Sequence, residues 1–203
     1  MSAQKTALVV IDVQESFRAA PYWNEDSLPT FLSHLQTLLD GAKAAAIPVL
    51  QVFHAEGTGP FSEASGLVKT MEPLNIAPDA IFKKPRHSAL VGSGLDVWLN
   101  THGIRRVIIS GIRTEQCCET TARHAYDLGY NVDFVSEATL TFSMTDEAGR
   151  EWSADELHAR TKLVLGGRFV RVATVKEALT GAAEALPSPG GTAVSYTHLT
   201  LPT

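Results

Sequence analysis

The chain carries two cysteines, and they are adjacent: Cys117 and Cys118, within GIRTEQCCETTARHAYDLGY, Gly111 to Tyr130. The run before them, RRVIISG, is apolar and β-branched. The run after them has helical spacing, so the pair falls where a strand turns into a helix. Thr114 is the expected N-cap, and Cys117 follows three residues later in the first turn. A helix N-terminus has unpaired N–H groups and a partial positive charge, which favour a thiolate and lower its pKa from ~8.5. The same N–H groups can face a developing oxyanion. Those are the conditions of a nucleophilic cysteine. Taken alone, Cys117 also reads as a small buried apolar residue. Cys118, roughly 100° further round the helix, is expected to face the core and pack.

Two charged residues close other strand-like runs. Asp12 follows the apolar run Leu8 to Ile11. A carboxylate there requires a partner. It could take the thiol proton and return it to a leaving group, or serve only as a structural ion pair or cap. Lys84 ends AIFKK. An ammonium near the thiol would lower the thiol pKa and hold the carboxylate ionised; a lone Lys is otherwise a solvated surface charge. Lys83 points to the opposite side.

The elements that must position these residues alternate along the chain. TALVVIDV is a strand buried on both faces. A helix follows over Pro29–Ala46, with Phe31, Leu32, Leu35, Leu38 and Leu39 at helical spacing. PVLQVFH and AIFKK are the second and third strands, separated by a loop from Gly57 to Asn75 rich in Gly and Pro. A helix ends at Gly103, then comes the strand Arg105–Gly111, and then the cysteine helix over Glu115–Leu128. YNVDFVSE is the fifth strand. Ser153 with Glu156 forms a capping box for the next helix. RFVRVAT is the sixth strand, and Thr174 caps a last helix. This alternation predicts an α/β fold of three layers, doubly wound around a six-stranded parallel sheet. Such folds place their sites at the carboxyl ends of the strands. Asp12, His54, Lys84 and Cys117 all stand there.

Bulk properties set the class. The chain has 203 residues, 44% hydrophobic and 19% charged, with a net charge of −5. That suits one domain with its own core, here residues 1–186. The acidic balance offers no electrostatic footprint for nucleic acid or a membrane surface. No run reaches the ~18 apolar residues of a membrane span, and the N-terminus lacks the layout of a signal peptide. Neighbouring cysteines are not a disulfide framework. A cytoplasmic protein with two free thiols is expected. From Pro187 the chain reads PSPGGTAVSYTHLTLPT, whose last ten residues look like a translated sequencing-library adapter. Residues 187–203 are therefore set aside as a disordered tail.

Three motifs together resemble the isochorismatase-like cysteine hydrolase superfamily. VVIDVQESF resembles its Asp motif, KPRHSAL its Lys motif and GIRTEQCCETTARHAYDLGY its nucleophile motif, over about Thr6 to Ala138. The resemblance implies Asp12, Lys84 and Cys117 as catalytic residues of a six-stranded parallel α/β fold. It also implies a cis peptide at Ile112–Arg113 that aims the amides of Arg113 and Cys117 into an oxyanion hole, and a homodimer or homotetramer. The sequence departs from the pattern at Cys118, Arg113 and Leu90, where Val, Ala and Phe are common. Arg113 would stand at the pocket rim or point to a neighbouring subunit. The metal loop of the nicotinamidase branch, Asp-x-His, has Val52 two residues before His54, so neither a metal nor another cofactor is expected. His54 is a substrate contact or an ordinary strand-end histidine. Phe17 and Trp23 form an aromatic wall of the pocket or pack in the core.

The expected activity is metal-independent cleavage of a C–N bond in a small amide or ureido compound. Asp12 deprotonates Cys117, the thiolate forms a thioester, and Asp12 serves again as base for the hydrolytic water. Two other readings remain beside it: an isochorismatase-type vinyl-ether hydrolase with Asp12 as acid, and a non-enzymatic, redox-responsive protein using the two thiols.

Overall fold

The computed structural model describes residues 5–181, and the tail from Pro187 lies outside them. Six strands form one parallel sheet: β1 (Thr6–Ile11), β2 (Val49–His54), β3 (Ala80–Lys84), β4 (Arg106–Ile112), β5 (Asn131–Leu140) and β8 (Arg171–Ala173). Their order is β3-β2-β1-β4-β5-β8, and each neighbouring pair is parallel. The helices are α1 (Leu28–Ala44), α2 (Leu95–Thr101), α3 (Glu119–Asp127), α4 (Ala154–Leu165) and α5 (Val175–Thr180). Between β5 and α4 lies a two-stranded antiparallel ribbon, β6 (Met144–Thr145) and β7 (Glu151–Trp152).

The apolar runs become strands because both faces of the sheet are covered. Along β1, Ala7, Val9 and Ile11 share a core with Leu95 and Leu99 of α2, Ala122 and Ala125 of α3 and Leu165 of α4. Leu8 and Val10 share the opposite core with Leu35 and Leu38 of α1 and Ala178 of α5. A strand buried on both sides has no solvent-facing position to fill with a polar residue. Among the described residues no helix is long and apolar enough to cross a membrane.

Winding leaves β1 toward β2 on one side and meets β4 on the other, so the order reverses between β1 and β4. The carboxyl ends of these two strands are the crevice of an open α/β sheet. Asp12 follows β1 there and Cys117 follows β4. The two strands approach closely at Gly111, whose φ is +131°. A Cβ there would lie 2.0 Å from the Ile11 carbonyl oxygen and 2.7 Å from the Ile11 nitrogen. Gly111→Ala is expected to destabilise the fold by more than ~2 kcal/mol, measured by urea unfolding. It should also displace Asp12, the next residue along from Ile11.

Candidate active site

Asp12 leaves the sheet in a left-handed conformation, φ 54°, uncommon for a residue other than Gly. Its N–H still donates to the Val52 carbonyl at 2.8 Å. The backbone then turns away, and the Gln14 side chain continues the ladder in its place. Gln14 Oε1 accepts from the His54 N–H at 2.8 Å, and Gln14 Nε2 donates to the His54 carbonyl at 3.1 Å. Gln14 also donates to Ser16 Oγ at 2.9 Å. These bonds fix the end of β2 against the start of the loop after β1.

Lys84 comes from β3, in register with His54. Its Nζ lies 2.8 Å from Asp12 Oδ2, 3.3 Å from Cys117 Sγ and 3.3 Å from His54 Nδ1. Both Asp12 and Lys84 are fully buried. An ammonium has only protons to offer, so His54 Nδ1 is the acceptor and the ring proton sits on Nε2. That nitrogen lies 2.7 Å from Glu56 Oε1. Val52, two residues before His54, is buried in the core. Among the described residues no group of three or more His, Cys, Asp or Glu side chains could hold a metal ion.

Cys117 stands in a π-helical turn, Thr114–Cys118, that opens α3. The Arg113 carbonyl accepts from the N–H groups of Gln116 and Cys118, both at 3.2 Å, so the ladder steps past Cys117. Such turns recur at functional sites. The peptide bond Ile112–Arg113 is cis. Thr114 is inside this turn and makes no N-cap bond, contrary to the sequence reading; the residue before the turn is Arg113. The Thr114 hydroxyl donates instead to Thr139 Oγ1 at 2.9 Å, beside the register shift of β5 against β4. Thr121 joins the cysteine to the lysine loop. Its hydroxyl donates to the Cys117 carbonyl at 2.7 Å and accepts from the Ala89 N–H at 2.9 Å.

The thiol differs from the sequence expectation in sign. Burial raises the Cys117 pKa, the Asp12 carboxylate raises it further, and Lys84 opposes both; the result is about 12. Cys117 therefore rests as a thiol beside a base. Burial likewise lifts Asp12 above the ordinary carboxyl range, against the pull of Lys84. Burial works to lower Lys84, but Asp12 and Cys117 outweigh it and hold the ammonium above its usual value. Cys118 is wholly buried in the core, and its thiol is pushed well up by that burial.

The structure brings together Asp12, Lys84, Cys117 and His54. Phe17 packs in the core, edge-on to Phe61 at 5.0 Å, and Phe61 in turn meets the His54 ring at 5.8 Å. Trp23 packs on Phe142 at 5.2 Å, with the Arg18 guanidinium over its ring. Arg113 is buried rather than at a rim, paired with Glu115 at 3.0 Å and stacked over Tyr22. Leu90 lies in the core. One site residue escapes the sequence reading: His87, whose Nδ1 lies 3.6 Å from Cys117 Sγ. The signal available was its place three residues beyond Lys84, in a loop at a strand's carboxyl end.

Comparison with known proteins agrees with this architecture. The family profile of the isochorismatase domain matches residues 6–167. The chain belongs to the isochorismatase family. It is 28% identical to nicotinamidase 3 of Arabidopsis thaliana over 179 residues, covering 80% of this chain and 81% of the relative. Ureidoacrylate amidohydrolase RutB of Stutzerimonas stutzeri is 26% identical over 176 residues, covering 68% of this chain and 71% of the relative. The crystal structure of a cysteine hydrolase from Pseudomonas syringae pv. phaseolicola superposes with a TM-score of 0.81 at 24% identity, covering 89% of this chain and 93% of that one. The protein is thus a hydrolase of the isochorismatase family.

A resting thiol makes a direct prediction. Iodoacetamide should label Cys117 more slowly than free cysteine at neutral pH, with the rate climbing toward a midpoint near pH 12. A midpoint below the ordinary thiol value would mean that Lys84 outweighs burial and Asp12. Mass spectrometry of the labelled peptide separates Cys117 from the buried Cys118.

Proposed function

We propose that the protein is a metal-independent cysteine amidohydrolase acting on a small amide or ureido compound. The reading rests on one observation: Lys84 Nζ lies 2.8 Å from Asp12 Oδ2 and 3.3 Å from Cys117 Sγ, with all three residues buried at the sheet's switch point. The amidohydrolase relatives support it.

Asp12 accepts the thiol proton, and the thiolate forms beside the Lys84 ammonium. Cys117 Sγ bonds the carbonyl carbon, and the oxyanion sits against the N–H groups of Arg113 and Cys117. The C–N bond breaks as Asp12 gives its proton to the leaving nitrogen. Water then cleaves the thioester. Holding the thiol protonated until substrate arrives makes thiolate formation part of the reaction rather than of the resting state. His54 contributes by accepting from Lys84, and Phe17 holds Phe61 against the His54 ring.

The raised Asp12 pKa favours a second reading, in which Asp12 is an acid that protonates a vinyl ether. The two separate on one variant. Cys117→Ala should abolish ammonia release from a panel of primary amides and ureido acids, by about 10³-fold or more, while circular dichroism stays unchanged. No ammonia release from any member of the panel by wild-type protein, with a vinyl ether cleaved equally by wild type and Cys117→Ala, would move the assignment to vinyl-ether chemistry.

Lys84 gives a pH test. Activity needs the Asp12 carboxylate, so kcat/KM falls as pH drops through its raised pKa. Lys84→Met removes the cation that opposes the rise. The acid limb should then move to higher pH, alongside a loss of stability from the unpaired buried carboxylate of about 3 kcal/mol. An unmoved limb would mean that Asp12 is not the titrating base.

A further inference from the structure

We propose that His87 is a second catalytic base, serving the water that cleaves the Cys117 thioester. The inference deepens the amidohydrolase reading and rests on it. His87 Nδ1 lies 3.6 Å from Cys117 Sγ. Asp12 and Lys84 are wholly enclosed, Cys117 is 7% exposed, and His87 is exposed to solvent. Exposure therefore rises from Asp12 through Cys117 to His87. A water molecule reaching the acyl carbon from solvent arrives on the exposed side of Cys117, where His87 stands.

An exposed side chain would ordinarily sample many positions, but the backbone of His87 is held on both sides. Lys84, three residues before it, is fixed by Asp12 and Cys117. Ser88, the next residue, is buried with Oγ 2.9 Å from His124 Nδ1 of α3. Ala89 donates its N–H to Thr121, which itself bonds the Cys117 carbonyl. The loop bearing His87 is thus tied to the helix that begins at the thiol. Across the site the His54 ring lies nearly parallel to the His87 ring, 11° between planes and 6.5 Å between centroids. His54 is committed to Lys84 and Glu56, whereas His87 has a ring nitrogen 3.6 Å from Sγ and, among the described residues, no other hydrogen-bond partner at that nitrogen.

The step balances without a further reactant. His87 Nδ1 takes a proton from water as the water oxygen bonds the thioester carbon. The C–S bond breaks, the sulfur leaves with the electron pair, and the proton held by His87 returns to Sγ. The carboxylic acid departs and the resting thiol is restored. Asp12 serves acylation and the leaving nitrogen; His87 serves deacylation.

p-Nitrophenyl acetate tests this division, because it acylates a thiolate without requiring the natural substrate's recognition groups. The wild-type protein should show a burst of p-nitrophenolate equal to the Cys117 content, followed by steady turnover. In His87→Asn and His87→Gln the burst should be retained and steady turnover should fall about 10²-fold. The acetyl group should accumulate on Cys117 by mass spectrometry, with kcat lowered and kcat/KM unchanged. Imidazole added to His87→Gly should restore turnover. Unchanged steady turnover in the His87 variants, or equal loss of burst rate and turnover, would overturn the assignment while leaving the thioester reading intact. Absence of any Cys117 adduct in wild-type protein, with Cys117→Ala equally active, would overturn both.

Discussion

The buried pair between Asp12 and Lys84 is the constraint on which the site depends. Two opposite charges with no solvent exposure are expensive to remove from water, and they persist only with close geometry and further polar support. The strand order makes that geometry reachable. β3 and β1 flank β2, so Lys84 must reach across the end of β2 to meet Asp12. His54, the last residue of β2, stands in register with Lys84 and accepts from it, filling the space between. Cys117 approaches from the other side of β1, where winding reverses. A single ammonium thereby touches groups supplied by β1, β2 and the turn after β4.

The same pair decides the state of the thiol. A helix N-terminus offers about half a charge, spread over several N–H groups. The Asp12 carboxyl lies in the same buried site, and Lys84 is shared between Asp12 and sulfur. Burial and the carboxylate therefore outweigh the influences that lower a cysteine's pKa. The π-helical turn makes the start of α3 irregular, with the Arg113 carbonyl accepting from the N–H groups of both Gln116 and Cys118.

Much of the fold was legible because it is written in local pattern. Doubly buried strands give unbroken apolar runs, and α4 and α5 begin at capping boxes that Ser153 with Glu156 and Thr174 with Glu177 form within four residues. The strand-end positions of Asp12, Lys84 and Cys117 followed from topology. Other features depend on groups distant in sequence. Thr114 looks like a cap, yet its hydroxyl finds Thr139 where β5 shifts register. The sign of the thiol shift depends on enclosure and on relative distances that no spacing encodes. His87 lies in an exposed loop with no periodicity, and the anchoring of Lys84 before it and of Ser88 and Ala89 after it carries it to the sulfur. The β6–β7 ribbon has two residues per strand, too few to show alternation.

Aiming a carboxylate out of a sheet conflicts with keeping the sheet intact. To turn toward Lys84, Asp12 adopts a backbone conformation that ends β1, and the next rung of the β1–β2 ladder is lost. Left open, that rung would bury the N–H and carbonyl of His54 without partners. The Gln14 amide presents an acceptor and a donor at the spacing of a peptide group and supplies both bonds, while its second N–H goes to Ser16. It therefore substitutes for the missing backbone and fixes His54 at the distance from which Nδ1 meets Lys84. A shorter amide at position 14 could not span the gap, and an apolar side chain could not satisfy it. The left-handed turn at Asp12 and the glutamine two residues later form one device, which lets the strand end in a reactive group without loosening the strand beside it.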